Sequence, residues 1–571
     1  MSPLLIVLIL LGFGAPWTWL LQRRAADRTL EGLIDRISLG YACSFFLLFV
    51  SAQLRLWLFV PIWLAGALAC IAFALRRGRP PQTSFVFGRE GWVLAITSVL
   101  YLVLRSLPFT QRRMPIGWDA YFHMTISESI VAHGQAVHDW LPYEDIPLNY
   151  PIGAHLLLSL TQWLTAVRPH QFFEFLVVLF TWLSGIQLFS LGSRATGDRQ
   201  IGCYAALAYL FLGNYGSLNY VMWSGLPNLI GMYLFLGLLS SLATPAESLR
   251  RDTAVFVVFL LAACFVHHHV MVTSGLCLLW TTGYVFVRGD RALAKRVLIG
   301  LVAAGVVGSP YFGMYLLRTV GLGNTGIQEY LENRADAINI AQDLGIAFVA
   351  ASVAGVYLYF KDRVPVSSVV HQPLTAMLGL YVAIEFVFRT LSLTLLGHEM
   401  APFTPSRFIT DAVTLMAIFA GIFFRSMQGG HSVLRVPVLV LVVGGFFWFN
   451  TGLYRDTFNH EISKERRATY EWIRKHALPD AVVLDNDLHA TYMTRRMSNT
   501  FPLPTSEYSA RAFRTHQLDA IANGREPPER AGHPVLAIVE PGHRAPPGPV
   551  VWTHPSGFRV VERLGPALAK P

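Results

Sequence analysis

The sequence predicts an α-helical polytopic membrane protein with a small α/β unit at its C-terminal end. Of 571 residues, 53% are hydrophobic and only 14% charged, and mean hydropathy is +0.45. That composition suits a chain that buries most of itself in lipid. Apolar runs of roughly 20 residues, the length that crosses a bilayer core of about 30 Å, recur up to residue 453. Beyond residue 454 the runs shorten, and Pro and Gly punctuate them.

In chain order, the first four spans are expected near 2–21, 37–53, 56–76 and 92–108. The first lacks a basic leading region and a small-residue cleavage site, so it reads as a retained span. Arg23, Arg24, Arg28 and Arg36 follow it, and Arg76, Arg77, Arg79 and Arg89 follow the third span. Arginine-rich short loops stay in the cytoplasm, which sends the 109–150 loop to the other face. Arg112 and Arg113 in that loop run against the charge bias and suit an anionic ligand. Residues 152–167 are short for a span and fit a helix lying along the interface.

Further spans are expected near 171–191, 201–219, 226–244, 253–269, 270–288, 296–317, 343–360, 373–396, 406–425 and 434–453. With them Arg194, Arg199, Arg250, Arg251, Arg288, Arg291, Arg296, Arg363, Arg425 and Arg435 all fall on the cytoplasmic side, which supports about fourteen spans. The transmembrane domain is thus 1–454, with 455–571 outside the cytoplasm. In that last unit Glu465 to His476 reads as an amphipathic helix, and 481–484, 535–539 and 550–552 read as strands.

The net charge of +10 does not imply nucleic acid, because the basic residues sit in short loops where they set topology. Anionic lipid head groups are the partners such loops meet. The five cysteines, Cys43, Cys70, Cys203, Cys264 and Cys277, lie in apolar runs without a CxxC pair and read as small core hydrophobes.

The chemistry concentrates in Arg112–His155, RRMPIGWDAYFHMTISESIVAHGQAVHDWLPYEDIPLNYPIGAH, the most polar stretch of the membrane half. Asp119 and His123 are four apart and share one face of a helix. By its surroundings alone Asp119 is either a general base or a helix N-cap before AYFHM. Glu128, Asp139, Glu144 and Asp145 are the other carboxylates of the stretch.

WDAYFHMTISESIVAHG followed by NYPIGAHLLLSL resembles the first external loop of the GT-C glycosyltransferase superfamily. These membrane enzymes take a sugar from a polyprenyl-phosphate or polyprenyl-diphosphate carrier. They include oligosaccharyltransferase subunits, protein mannosyltransferases and aminoarabinose transferases. The resemblance covers about forty residues. It implies that Asp119 is the catalytic carboxylate, that Tyr150-Pro151 is the ensuing turn, and that the reaction inverts the sugar. It also implies partners: a polyprenyl-linked donor, a glycan, lipid or protein acceptor, and a bacterial inner membrane with the site facing outward. Two departures stand out. Three expected spans precede the one before the loop, and the second external loop, 214–228, has no acidic residue. Oligosaccharyltransferases carry metal-binding acids there, so a divalent metal lacks a second acidic motif and Asp119 acting as base without metal is the other option.

Arg407 opens a late span in a Pro-Ser-Arg-Phe context, where superfamily members place a carrier-phosphate ligand. The planar fork of Arg suits phosphate, and an interfacial Arg paired to Asp411 or Glu399 is the plainer alternative. Glu174 sits near the outer end of its span, facing the expected cavity. Residues His267–His269 on one helix would point about 100° apart, so they read as polar helix-end or substrate-binding groups and not as a metal site. Glu385 and Arg389, four apart within a span, read as an intrahelical ion pair. A transporter of lipid-linked glycans and a glycan polymerase or ligase are the competing readings. The first would use intramembrane charges as a path but lacks internal repeats.

Overall fold

A computed structural model describes residues 29–76, 87–110, 115, 118–140, 144–148, 150–212, 225–245, 248–321, 345–384, 386, 390, 394, 405–430, 462–478, 481–485, 490–495, 497–498, 535–543 and 548–564. The expected spans at 2–21 and 434–453, Arg112, Arg113, the Glu385–Arg389 pair and most of loop 214–228 lie outside the described residues.

The chain is an integral membrane protein built on a helical bundle. The bundle helices are α1 (Leu30–Ala52), α2 (Phe59–Arg76), α3 (Arg89–Thr110), α4 (Trp118–His133), α5 (Gly153–Thr165), α6 (Phe173–Thr196) and α7 (Arg199–Phe211). They continue with α8 (Leu226–Ala243), α9 (Leu249–Val266), α10 (His268–Val287), α11 (Arg291–Gly321), α12 (Ile346–Lys361), α13 (Ser368–Val382) and α14 (Pro405–Gly430). Among the described residues six helices, within α1, α6, α8, α10, α11 and α14, are long and apolar enough to cross a bilayer. The α11 window is only 22% buried, so it lies at the rim, whereas the α8 window is 89% buried and lies at the centre.

Small residues let the helices close up. A Cβ on Gly192 of α6 would lie 3.0 Å from the Cα of Gly202 in α7, the close backbone approach that holds helices together where lipid offers no hydrophobic drive. One end of the bundle is stapled by ions. Asp35 of α1 accepts from Gln187 and Ser190 of α6 and from Ser240 of α8 at 2.7–3.0 Å, and pairs with Arg194 at 2.8 Å. Arg199–Glu31 at 2.7 Å, Arg425–Asp198 at 3.0 Å and Arg296–Asp252 at 3.7 Å lie at the same end.

Helices α4 and α5 sit at the opposite end. The first nine residues of α5 are all buried, so this helix, too short to span, is covered by its neighbours. Gly153 permits this: a Cβ there would meet the Phe265 carbonyl of α9 at 2.7 Å. A short hairpin, β1 (Asp139–Trp140) with β2 (Glu144–Pro147), links the two helices. The chain after α4 is tied to the end of α1, with Leu56 N donating to Gly134 O at 2.8 Å and Ala136 N to Ala52 O at 2.7 Å.

The C-terminal part is a mixed sheet with helix α15 (Lys464–His476) and the short α16 (Ala490–Thr494). Its strands are β3 (Val482–Leu484), β4 (Met497–Ser498), β5 (Val535–Val539), β6 (Val550–Thr553) and β7 (Arg559–Leu564), in the order β4-β3-β5-β7-β6. β3 runs parallel to β4 and β5, and β7 is antiparallel to β5 and β6. Ser463 caps α15, with Glu465 in the first turn and Arg474, Lys475 and His476 in the last, a charge order that matches the helix dipole. Arg466 of α15 ties the helix to the sheet through Asp485 at 2.9 Å and Glu540 at 2.6 Å.

Candidate functional site

The site is assembled where α4, α5, α6, α9 and α10 meet. α4 begins at Trp118, which makes Asp119 its second residue. Asp119 is therefore in the first turn of the helix and not at the N-cap position, where a negative charge still favours the helix dipole. Its side chain lies outside the described residues. Tyr121 anchors this end of the helix by donating to the Pro115 carbonyl at 2.7 Å.

One turn on, the buried His123 meets His155 of α5, Nδ1 to Nε2 at 3.0 Å. Burial pushes both imidazoles down. For His123 the neighbouring His155 adds to the effect. For His155 the carbonyls of Ile152 and Pro151 oppose it, and the ring still falls to about 3. Both rings are neutral at pH 7, so one donates and the other accepts. Ser159, one turn after His155, donates to the Ser127 carbonyl at 3.0 Å and keeps α4 and α5 in register.

Tyr150 is the hub. Its ring stands 5.8 Å from His123, 5.5 Å from His155, 6.0 Å from His267 and 5.4 Å from His268. The last two reach it because the helix breaks. α9 ends at Val266 and α10 starts at His268, with His267 extended between them at φ −154° and ψ 128°. The run of histidines is therefore not on one helix, as the span boundary at 269/270 implied. In the extended link the rings of His267 and His268 stack at 4.7 Å. His269 turns the other way and pairs with Asp411 of α14 at 3.1 Å, both fully buried.

Of the residues the sequence singled out, the structure thus brings His123, Tyr150, His267 and His268 into one cluster. Glu174 is buried in the first turn of α6, next to Phe173, whose ring stacks on His123 at 6.4 Å. Arg407 is the third residue of α14, one turn before Asp411. The Arg407 side chain lies outside the described residues, and the described partner of Asp411 is His269. Glu128 is held by two arginines at 2.7–3.1 Å. Sequence reasoning missed His155 as a site residue, although it stands in the quoted motif. Its partner is 32 residues away, beyond any helical spacing that would have marked the pair.

Beside Tyr150 a small open cleft lies between α1, α11 and the α4–α5 connection, lined by Phe49, Gln53, His138, Tyr311 and Met314 among others. Among the described residues no three His, Cys, Asp or Glu side chains are placed to hold a metal ion.

No family model matches the sequence, and no curated protein matches it. Solved structures do. The fold is similar to that of ArnT from Cupriavidus metallidurans bound to undecaprenyl phosphate, with TM-score 0.55 and 14% identity over 85% of this chain and 100% of that one. The apo form of the same ArnT gives TM-score 0.51 at 17% identity, over 84% and 99%. The apo oligosaccharyltransferase of Archaeoglobus fulgidus gives TM-score 0.51 at 10% identity, over 79% and 69%. The chain therefore shares its overall fold with ArnT and with the archaeal oligosaccharyltransferase.

Proposed function

We propose that this protein is an inverting membrane glycosyltransferase that moves a sugar from a polyprenyl-phosphate-linked donor to an acceptor on the extracytoplasmic face. The observation that carries the reading is the placement of Asp119 one turn before His123, on a helix whose next turn enters the buried His–Tyr cluster. The ArnT structure similar in fold is bound to undecaprenyl phosphate, which supports a donor of that chemical class.

Asp119 takes the proton of the acceptor as its oxygen or nitrogen attacks the anomeric carbon. The bond from that carbon to the carrier phosphate breaks, and the phosphate leaves with the electron pair. Arg407 at the start of α14, with Arg112 and Arg113, stabilises the leaving phosphate. His123, Tyr150, Glu174, His267 and His268 hold the sugar by hydrogen bonds and ring contacts. The cluster is neutral at its His123–His155 core, so it orients without competing for the phosphate.

Transfer from a lipid-linked donor in detergent tests this. Asp119→Asn keeps size and helix preference but removes the base, and turnover should fall by about 10²–10⁴ with expression and melting unchanged. Arg407→Ala should instead weaken donor binding, and Arg407→Lys should restore it only in part. Full turnover in Asp119→Asn would sink the role of that carboxylate.

A further inference from the structure

Glu128 lies on the same helix as Asp119 and His123, nine residues after the first, yet it points away from the cluster. Its carboxylate is buried, with 4% of the side chain exposed. Oε1 accepts from Nε and Nη2 of Arg168 at 3.1 and 2.9 Å, in the link between α5 and α6. Oε2 accepts from Nε of Arg495 at 2.7 Å, just after α16 in the C-terminal unit. A carboxylate engaged on both oxygens by two guanidinium groups is a geometric clamp, because each planar fork fixes direction as well as distance.

Neighbouring contacts tighten the same joint. His170 Nδ1 meets the Tyr492 hydroxyl at 2.9 Å, and the Arg168 guanidinium lies over the Tyr492 ring at 5.1 Å. Tyr121, in the first turn of α4, meets the Tyr492 ring at 6.3 Å. Arg495 itself is strained: its φ is +57°, the left-handed region where glycine is at ease. An arginine held in that strained region signals that its side chain is needed.

We propose that Glu128 is a positioning residue through which the C-terminal unit holds α4, so that Asp119 and His123 keep their place against α5. The helix transmits the restraint, since it is a rigid rod and nine residues span about 13 Å. The catalytic part rests on Asp119 being the reacting carboxylate; the mechanical part does not. A misplacement of about 1 Å in a reacting group is enough to cost on the order of 10²-fold in rate.

The test uses the full chain in detergent, with Glu128→Gln, Arg495→Gly and Arg495→Lys. Arg495→Gly relieves the backbone while deleting the guanidinium, so global melting should hold or rise. Hydrogen exchange in residues 118–133 should nonetheless quicken in Arg495→Gly and Glu128→Gln, and less in Arg495→Lys. Asp119→Asn should leave that exchange unchanged. In transfer assays kcat should fall about tenfold or more, with the donor KM within about twofold. Unchanged exchange in both variants overturns the proposal, and so does exchange that rises throughout the protein together with lost melting temperature. Should the wild-type chain transfer no sugar from a polyprenyl phosphate donor while exchange responds as stated, the glycosyltransferase reading fails and the clamp stands.

Discussion

The two ends of the bundle are built on opposite electrostatic plans. One end is held by carboxylate–arginine pairs: Asp35 with Arg194, Glu31 with Arg199, Asp198 with Arg425 and Asp252 with Arg296. Each ties together different parts of the bundle, and Asp35, Glu31 and Asp198 are matched by hydrogen bonds as well as charge. The other end gathers His123, His155, Tyr150, His267 and His268, groups that hold or pass protons without fixed charge. Paired ions in a bundle end resist rearrangement, because separating them leaves a charge without solvent. Imidazoles and phenols adapt to a ligand. One end is therefore a frame, and the other is the end where we propose that the chemistry takes place. One carboxylate that the site end buries, Glu128, is turned outward to the C-terminal unit.

The sharpest way to break this comparison is topological. We propose that the ionic end faces the cytoplasm and the histidine end faces outward. A cysteine at Ala132, exposed in the last turn of α4, should then react fully with an impermeant thiol reagent in intact cells. A cysteine at Arg291, exposed where α11 starts, should react only after permeabilisation. Labelling of both, or the reverse pattern, would remove the assignment. The chain's own Cys43, Cys203, Cys264 and Cys277 are buried, and the labelling is done in a Cys70→Ser background.

A second test weighs the frame itself. Asp35→Asn keeps the shape but leaves Arg194 inside the bundle without its counter-ion. The loss should be about 3–5 kcal/mol, read as a large drop in the melting temperature in detergent. A small drop would show that water reaches this end.

The third and smallest effect concerns pH and the edge of the site. His170, in the joint with Tyr492, is pushed down from 6.5 to about 4, mainly by burial, with Arg168 adding and Glu128 opposing. An unfolded chain takes up this proton below about 6.5, the folded one only below about 4. Between those values the unfolded chain binds more protons, so the contribution is complete above 6.5 and lost as pH falls toward 4. Melting should therefore decline from pH 7 to pH 5 more steeply in wild type than in His170→Gln. Parallel curves would show that another group carries the acid sensitivity.

The comparison also shows what kind of feature a sequence displays. The ionic end was legible as arginine-rich loops, because topology leaves a charge bias at span ends that needs no partner to be seen. Asp35 was not among the readings, since its partners lie more than 150 residues away. At the other end the Asp119–His123 spacing was visible, because both sit within one helical turn. The placement of the histidine run on a single helix was wrong, since only the meeting with α5 and Tyr150 explains why the chain extends at His267.

The sequence by itself determined the membrane class, many of the described helices, three of the five described C-terminal strands and the polar stretch around Asp119. Each of these follows from local periodicity, composition or charge bias, which are properties of neighbouring residues. Tertiary structure alone decided that α5 is buried, that His155 joins His123, that His269 belongs to Asp411, and that Glu128 is clamped from the C-terminal unit. Those contacts bring together residues 32 to 367 positions apart, and their partners are chosen by how helices pack, which no local pattern encodes.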